Sequence, residues 1–163
     1  MVVSNEISAE EMGRELCEAG MTIACAESCT GGLLTSTLTD VSGSSAYVVG
    51  SVISYANHVK SRILHVPEHV LTVCGAVSEE TARVMAESIR QLMQTDIGVG
   101  ITGIAGPDGA SADKPVGLVY IAVADRGHTT VKKNIFSGTR MQNKQAAVGQ
   151  ALDMIRDVIR GST

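Results

Sequence analysis

An apolar run that passes directly into a glycine-containing turn constrains the fold more than any other feature of the sequence. Residues Met21–Ala26 carry almost only apolar side chains, which is typical of a strand buried on both faces of a sheet. Gly31 and Gly32 follow, and a helix is predicted from there to about Asp40. Because a helix start has unpaired backbone N–H groups and the positive end of the dipole, side chains placed there can act on an anion or a carbonyl. The candidates at this junction are Ser28, Cys29 and Thr30.

Strands and helices alternate along the rest of the chain. Capping boxes at Ser8–Glu11 and Thr139–Gln142 begin the first and last helices, and Gly20 ends the first. Shorter helices are predicted with Asn57 as a cap and from Pro67. The predicted strands are Met21–Ala26, Gly50–Ala56, Ile97–Thr102, Val116–Ala124 and Thr129–Phe136, the last two joined as a hairpin.

Two helices show a clear buried face. The one capped by Ser78 carries an apolar stripe at Ala82, Met85, Ala86, Ile89, Leu92 and Met93. The last helix is predicted to bury Val148, Ala151, Leu152, Ile155 and Ile159. The pattern indicates an α/β fold with a mixed sheet covered on both faces by helices, in one domain spanning residues 1–163 with a short tail at 1–7.

Composition excludes several classes of function. Hydrophobic residues make up 44 % of the chain and charged residues 18 %, as in a globular protein. A net charge of -4 and an aromatic content of 2 % argue against a nucleic-acid partner. No apolar run reaches the roughly 20 residues that span a membrane, and residues Met1–Glu6 do not resemble a secretory signal, so we expect a cytoplasmic protein.

The four cysteines do not predict a metal site. Their spacing contains no C-x-x-C and matches no zinc pattern. Cys17, Cys25 and Cys74 are expected to be buried, small apolar residues. Cys29 lies beside Ser28 at the helix start, where the dipole would lower the pKa of its thiol, which makes Cys29 an alternative nucleophile.

A second glycine-rich loop, Thr102–Gly109, follows the third predicted strand. Ligands of open α/β sheets bind beyond the carboxyl ends of the strands, so the two loops share one crevice if their strands are parallel neighbours. Gly103, Gly106 and Gly109 otherwise serve only to make turns. Neither loop contains a P-loop or dinucleotide fingerprint, so a nucleoside triphosphate is not indicated.

Three further side chains are candidates for this crevice. Tyr55 and Lys60 flank the end of the second strand, and either can accept a proton from a serine hydroxyl. Their alternatives are a half-buried sheet tyrosine and a solvated surface lysine. Arg140 lies in the first helical turn, where the dipole disfavours a cation, and a bound phosphate would resolve that conflict. The histidines are expected on the surface: His58, His65, His69 and His128.

Five separated motifs resemble the CinA C-terminal domain family, in its order and spacing, from about Ser8 to Arg160. They are AESCTGGLL, GSVISYANHVK, GAVSEETA, ITGIAGPDG with KPVG after it, and FSGTR. The resemblance implies a three-layer α/β/α sandwich with a mixed, mostly parallel sheet, and a homodimer. It also implies a nicotinamide mononucleotide deamidase that forms nicotinic acid mononucleotide and ammonia in pyridine nucleotide salvage. Longer members carry an additional N-terminal domain, so only the deamidase activity is expected of this sequence.

The resemblance also implies roles for individual residues. Ser28 is the nucleophile that forms an acyl-enzyme, and either Lys60 or Tyr55 takes its proton. Backbone N–H groups around Thr30, Gly31 and Gly32 hold the oxyanion. Thr102, Gly103 and Gly106 position the amide or ribose, and Arg140 binds the 5′-phosphate. Because the pyridinium charge already activates the amide, neither a metal nor another cofactor is expected. The alternative is a non-catalytic module, linked to competence or DNA damage, that binds a phosphorylated nucleoside.

Overall fold

The computed structural model describes residues 6–161, which form six helices and five strands. The helices are α1 (Ala9–Ala19), α2 (Leu33–Thr39), α3 (Asn57–Arg62), α4 (Glu68–Val73), α5 (Glu79–Met93) and α6 (Arg140–Gly161). The strands are β1 (Ile23–Glu27), β2 (Val48–Ile53), β3 (Ile97–Gly103), β4 (Leu118–Ala124) and β5 (Thr129–Ile135). A short 3-10 turn, Ser44–Ala46, precedes β2.

The five strands form one sheet in the order β2-β1-β3-β4-β5. Strand β1 is parallel to both β2 and β3, whereas β4 is antiparallel to both β3 and β5. Only β4 therefore runs against the others, which confirms the mixed, mostly parallel sheet. Glu27 at the end of β1 is in register with Ile53 and Ile101. The carboxyl ends of β1, β2 and β3 thus meet at one edge, as the shared crevice requires.

Helices cover both faces of the sheet, which confirms the three-layer α/β/α sandwich. Ile23 and Cys25 point into a core cluster formed with α1, α2 and α6. Ala24 and Ala26 point to the opposite face, where they pack with Met85 and other residues of the α5 side. Residues 1–5 of the predicted tail lie outside the described residues, whereas Ile7 is buried in the first cluster.

Helix α5 packs directly on β3 at two glycines that face it. A Cβ on Gly100 would lie 2.5 Å from the carbonyl oxygen of Ala82, and one on Gly98 would collide with the Ala86 carbonyl. Any larger residue at either position would therefore push the helix away from the sheet.

The locally encoded helix starts are confirmed. Ser8 and Glu11 exchange backbone–side-chain hydrogen bonds of 3.1 Å, and Thr139 and Gln142 form the same reciprocal pair. Ser78 caps α5 by accepting from the Thr81 N–H. The buried residues predicted for α6 are all buried.

Several local predictions are wrong. Strand β1 is Ile23–Glu27 rather than Met21–Ala26, β4 begins at Leu118 rather than Val116, and Cys74 is only partly buried. Strand β2 begins and ends earlier than Gly50–Ala56, and Asn57 is the first residue of α3, after an N-cap at Ala56. Leu92 lies at the edge of the stripe in the last turn of α5 and is 50 % exposed. Cys17 is exposed because its neighbour Leu16 occupies the buried face of α1.

Across residues 6–161, no helix has the length and apolarity needed to cross a membrane.

Candidate active site

Ser28 lies directly after β1, at the centre of the carboxyl edge of the sheet. Its N–H donates to the Ile101 carbonyl at 3.0 Å, which extends the pairing with β3 by one residue. Its own carbonyl accepts from the Gly31 N–H at 3.0 Å and closes a tight turn. Gly31 and Gly32 have φ angles of 61° and 105°, a left-handed region that favours glycine. The turn therefore holds Ser28 at the carboxyl edge of the sheet, where the residue is 7 % exposed.

The carboxylate of Glu27 is fully buried, and its hydrogen bonds close the same turn. It accepts hydrogen bonds from the N–H groups of Leu34 (2.9 Å) and Thr35 (3.0 Å), in the first turn of α2. It also accepts from the hydroxyls of Thr30 (2.7 Å) and Thr35 (2.6 Å). The helix start is thus already bound by an internal anion, so the N–H groups of Leu34 and Thr35 are not available to a ligand.

Glu27 is not among the site residues predicted from the sequence. The signal that could have found it is a carboxyl residue at the end of an otherwise apolar strand, because a charge at such a position must find partners. The hydroxyl groups of Thr30 and Thr35, before and after the two glycines of the turn, donate hydrogen bonds to the Glu27 carboxylate.

The side-chain nitrogen of Lys60 contacts the hydroxyl group of Ser28. The Nζ atom lies 3.0 Å from Ser28 Oγ, 2.6 Å from the Ser54 carbonyl oxygen and 3.4 Å from that of Tyr55. Lys60 is 1 % exposed, which excludes the alternative of a solvated surface lysine. Burial lowers the pKa of Lys60, because an apolar environment disfavours the charged amine.

The two carbonyls give the amine of Lys60 a defined orientation. A neutral amine has two N–H donors and one lone pair. If the donors point to the carbonyls of Ser54 and Tyr55, the lone pair is left to accept the Ser28 hydroxyl proton. This arrangement suits a nucleophile next to its base.

Tyr55 and Arg140 contact each other at the rim of the site. The Nη2 atom of Arg140 donates to the Tyr55 hydroxyl at 3.2 Å, and Nη1 donates to the Gly106 carbonyl at 2.7 Å. Tyr55 is 63 % exposed and follows β2, so the alternative of a half-buried sheet residue is wrong. Within residues 6–161, the Tyr55 hydroxyl has no hydrogen bond to Ser28.

A cavity of about 260 Å³ connects these groups with the second loop. Six of the predicted site residues line it: Ser28, Tyr55, Lys60, Thr102, Gly103 and Arg140. The predicted residues that do not line it are Thr30, Gly31, Gly32 and Gly106. Asn57 and Asp108 line it and were not predicted. A larger cavity of about 520 Å³ lies between α5 and the β4–β5 hairpin, away from Ser28.

Thr102 has its hydroxyl proton committed. Its Oγ1 donates to the Ala76 carbonyl at 2.7 Å, which leaves the lone pairs of that oxygen to accept a hydrogen bond. Thr102 is in β3, in register one residue beyond the Ile101 that pairs with Glu27. The hydroxyl therefore lies on the strand next to the one that carries Ser28.

The turn leaves several backbone donors without acceptors. The Gly31 N–H serves the turn itself, and those of Leu34 and Thr35 serve Glu27. In the described part of the chain, the N–H groups of Cys29, Thr30 and Gly32 have no protein acceptor. Of these three residues only Cys29 lines the cavity, so its N–H, rather than that of Gly31, is the candidate for binding an oxyanion.

Cys29 does not have the activated thiol that its position suggested. It is 7 % exposed, and burial raises its pKa to about 11, with a further upward contribution from the Glu27 carboxylate. The expectation of a lowered pKa is wrong because burial outweighs the effect of the helix start, whose first amides already bind Glu27.

For residues 6–161, the structure contains no group of three or more His, Cys, Asp or Glu side chains that could hold a metal.

Comparison with known proteins gives a consistent result. The family model described as the CinA C-terminal domain matches residues 5–159. A CinA-like protein of Geobacter sulfurreducens is 49 % identical over 139 residues, covering 85 % of this chain and 34 % of that protein. One of Syntrophomonas wolfei is 51 % identical over 141 residues, covering 86 % and 34 %. The chain thus spans about a third of the length of these curated relatives.

Solved structures share the whole fold. The competence/damage inducible protein CihA of Agrobacterium tumefaciens is 38 % identical, with a TM-score of 0.89 and coverage of 91 % of this chain and 92 % of that one. A CinA superfamily protein of Escherichia coli is 26 % identical, with a TM-score of 0.89 and coverage of 97 % and 94 %.

Proposed function

The chain belongs to the CinA C-terminal domain family, and from that premise we propose that it is a serine amidohydrolase acting on nicotinamide mononucleotide. The products are nicotinic acid mononucleotide and ammonia. The observation that carries the proposal is the contact of 3.0 Å between Lys60 Nζ and Ser28 Oγ in a buried setting. A hydroxyl that touches a buried amine of lowered pKa has the two groups that amide hydrolysis needs, a nucleophile and its base.

The first half of the proposed reaction forms an acyl-enzyme. Ser28 Oγ attacks the carboxamide carbon, and neutral Lys60 takes the hydroxyl proton. The oxyanion that forms is bound by the Cys29 N–H, which borders the cavity, and one such donor is worth about 3 kcal/mol. When the carbon–nitrogen bond breaks, Lys60 returns the proton to the leaving nitrogen and ammonia departs.

The second half reuses the same groups. A water molecule gives its proton to Lys60 as it attacks the Ser28 ester. The carbon–Oγ bond then breaks, Ser28 recovers its proton from Lys60, and the carboxylic acid leaves and ionises by releasing one proton to solvent. We assign Thr102 to accept a hydrogen bond from the carboxamide NH₂ in the first half, since its own proton is donated to the Ala76 carbonyl.

Lys60 is preferred to Tyr55 as the base on two grounds. Its Nζ touches Ser28 Oγ, whereas the Tyr55 hydroxyl accepts from Arg140 at the rim. Burial lowers the pKa of Lys60 toward the range in which a neutral amine is populated. Tyr55 is then assigned to the support of Arg140 rather than to proton transfer.

Arg140 is proposed to bind the 5′-phosphate. A guanidinium has five N–H donors, and two of its nitrogens contact Gly106 and Tyr55 through one bond each. Three donors remain, on a side chain whose orientation is already set by those two bonds. Pre-organised guanidinium groups bind phosphate well because two donors can meet two oxygens.

The test is ammonia release from nicotinamide mononucleotide by the purified protein in the presence of EDTA, compared with Ser28→Ala. Release by the wild type alone supports the proposal. Equal release by the variant contradicts the role of Ser28. If neither protein releases ammonia while the mononucleotide raises the melting temperature of both, the chain is instead a module that binds phosphorylated nucleosides.

A further inference from the structure

We infer that Glu27 is a positioning residue that keeps Ser28 Oγ in reach of Lys60, an inference that rests on the proposed function. Glu27 directly precedes Ser28, and its side chain is 0 % exposed. Among the described residues, no lysine, arginine or histidine forms an ion pair with it. An unpaired buried carboxylate is costly, so its hydrogen bonds must be well made.

The bonds of Glu27 span the turn that carries the nucleophile. The carboxylate starts from the end of β1 and reaches the N–H groups of Leu34 and Thr35 in α2. An ordinary N-cap would satisfy such amides from the cap position itself, but Gly32 occupies that position and has no side chain. The capping group therefore comes from the far side of the turn. The segment from Ser28 to Gly32 is thus closed by a backbone bond and by this carboxylate.

The same network reaches the strand that leads to Lys60. Thr35 Oγ1, which donates to Glu27, also lies 2.9 Å from Ser51 Oγ in β2. Because the Thr35 hydroxyl proton goes to Glu27, the Ser51 hydroxyl is the donor in this contact, and its oxygen also lies 2.9 Å from the Cys25 carbonyl oxygen in β1. Ser28 and Lys60 are on different elements, so the distance between them depends on how the turn and β2 are held together. Glu27 is the charged centre of the bonds that hold them.

A displacement of the turn should affect the chemistry more than the binding of substrate. Arg140 and Thr102 belong to other elements and form no hydrogen bond with Glu27. Losing the carboxylate should therefore lower kcat and leave KM nearly unchanged. A misplacement of about 1 Å at a reacting group can cost on the order of 100-fold in rate.

The test uses Glu27→Gln, which keeps the size and removes the charge. Its matched control is Glu15→Gln in α1, where a carboxylate whose side chain is 19 % exposed pairs with Arg156 at 3.0 Å. For each protein we would measure the melting temperature, kcat, KM and the pH profile. A second readout is the rate at which a fluorophosphonate labels Ser28. In that reaction the Oγ–phosphorus bond forms, the phosphorus–fluorine bond breaks, and Lys60 takes the proton, so no nucleotide is needed.

We expect kcat and the labelling rate of Glu27→Gln to fall at least about tenfold, while KM stays within about twofold of wild type. The pH at which the rate rises should not shift, because the amine of Lys60 is unchanged. Glu15→Gln should lose stability only. Unchanged labelling by Glu27→Gln, or a loss equal to that of the control, overturns the inference. Labelling that depends on Glu27, together with no ammonia release from the mononucleotide, contradicts the proposed substrate but not the inference. If Glu27→Gln does not fold, Thr30→Val keeps the charge, removes one bond of 2.7 Å, and should show a smaller loss of the same kind.

Discussion

The Tyr55 hydroxyl and the Arg140 guanidinium lie 3.2 Å apart, although 85 positions separate them in the sequence. This contact joins the segment after β2 to the first turn of α6 across the mouth of the cavity. The second bond of Arg140, to the Gly106 carbonyl, adds the glycine-rich loop after β3. One cation therefore ties together three segments that border the proposed substrate site.

Arg140→Ala should raise the KM for nicotinamide mononucleotide by about 10- to 100-fold, since a lost charge-assisted bond to phosphate is worth about 1.5–3 kcal/mol. The KM for the corresponding riboside, which has no phosphate, should change little. Steady-state kinetics with both substrates measure the difference. Arg126→Ala, at a hairpin-tip side chain that is 84 % exposed, is the control and should alter neither KM. An equal rise for both substrates would mean that Arg140 shapes the loop rather than binding phosphate.

Lys60→Met should lower kcat by about 1,000-fold while the protein stays folded, because a positioned base contributes about 100- to 10,000-fold. Methionine fills a similar volume, and the desolvation cost of the buried amine disappears with it. The measurements are kcat and the melting temperature. Lys133→Met, at an exposed position of β5, should keep full activity. A Lys60→Met protein with more than a tenth of wild-type kcat would transfer the role of base to another group.

The rate and the stability should both rise with pH because of Lys60. The reaction needs the neutral amine, so kcat/KM increases as pH rises through the lowered pKa of Lys60. Between that pKa and the ordinary value of 10.5, the unfolded chain binds one more proton at Lys60 than the folded chain. The free energy of unfolding therefore increases with pH in this window, by at most about 1.4 kcal/mol per pH unit.

The contribution of Lys60 is isolated by comparing wild type with Lys60→Met in urea unfolding at several pH values. Subtraction is needed because the buried thiols of Cys25 and Cys29 have raised pKa values and oppose the trend at higher pH. The folded chain holds their protons longer than the unfolded chain does. A stability difference between the two proteins that does not change with pH would contradict a lowered pKa for Lys60.

Cys29→Ala should keep kcat within about threefold of wild type, in contrast to Ser28→Ala. Iodoacetamide at neutral pH should not inactivate the enzyme, because burial raises the pKa of the Cys29 thiol to about 11 and little thiolate forms. Mass spectrometry should find the label on Cys17, which is exposed, before Cys29. Loss of activity in step with alkylation of Cys29 would restore the thiol as the nucleophile.

Gly100→Ala should destabilise the fold by about 1–3 kcal/mol, since the added Cβ would lie 2.5 Å from the Ala82 carbonyl of α5. Gly149→Ala is the matched control, because a Cβ there in α6 has no neighbour within 4 Å. The control should gain about 0.5–1 kcal/mol from the better helix propensity of alanine. Urea unfolding of both variants measures the two effects, and equal stabilities would mean that α5 adjusts freely to the sheet.

Features encoded over a few residues were predictable from the sequence. The capping pairs at Ser8 and Thr139 act over three residues, so their pattern identifies the helix starts directly. The positions of the strands along the chain and the two-sided burial of β1 follow from apolar runs of the right length, whereas the order of the strands in the sheet does not. The turn after β1 was predictable because Gly31 and Gly32 mark it.

Features that depend on tertiary packing were not predictable in this way. The burial of Lys60 follows from the parallel pairing of β1 with β2, which brings α3 over Ser28, and a lysine in a short helix gives no local sign of it. The sequence left the roles of Lys60 and Tyr55 open, and the structure distinguishes them because Lys60 Nζ contacts Ser28 Oγ whereas the Tyr55 hydroxyl contacts Arg140. The raised pKa of Cys29 also depends on tertiary structure, because burial raises it first and the Glu27 carboxylate, which lies outside the helix, raises it further.

The parallel pairing of β1 with β2 also determines when activity can appear during refolding. Ser28 and Lys60 are 32 positions apart and meet only after the crossover through α2 has closed, with Ile53 opposite Glu27. Such non-local pairings form more slowly than helices or hairpins. Helical signal should therefore return before the proposed hydrolytic activity does. The recovery of ammonia release then reports when the central sheet has formed.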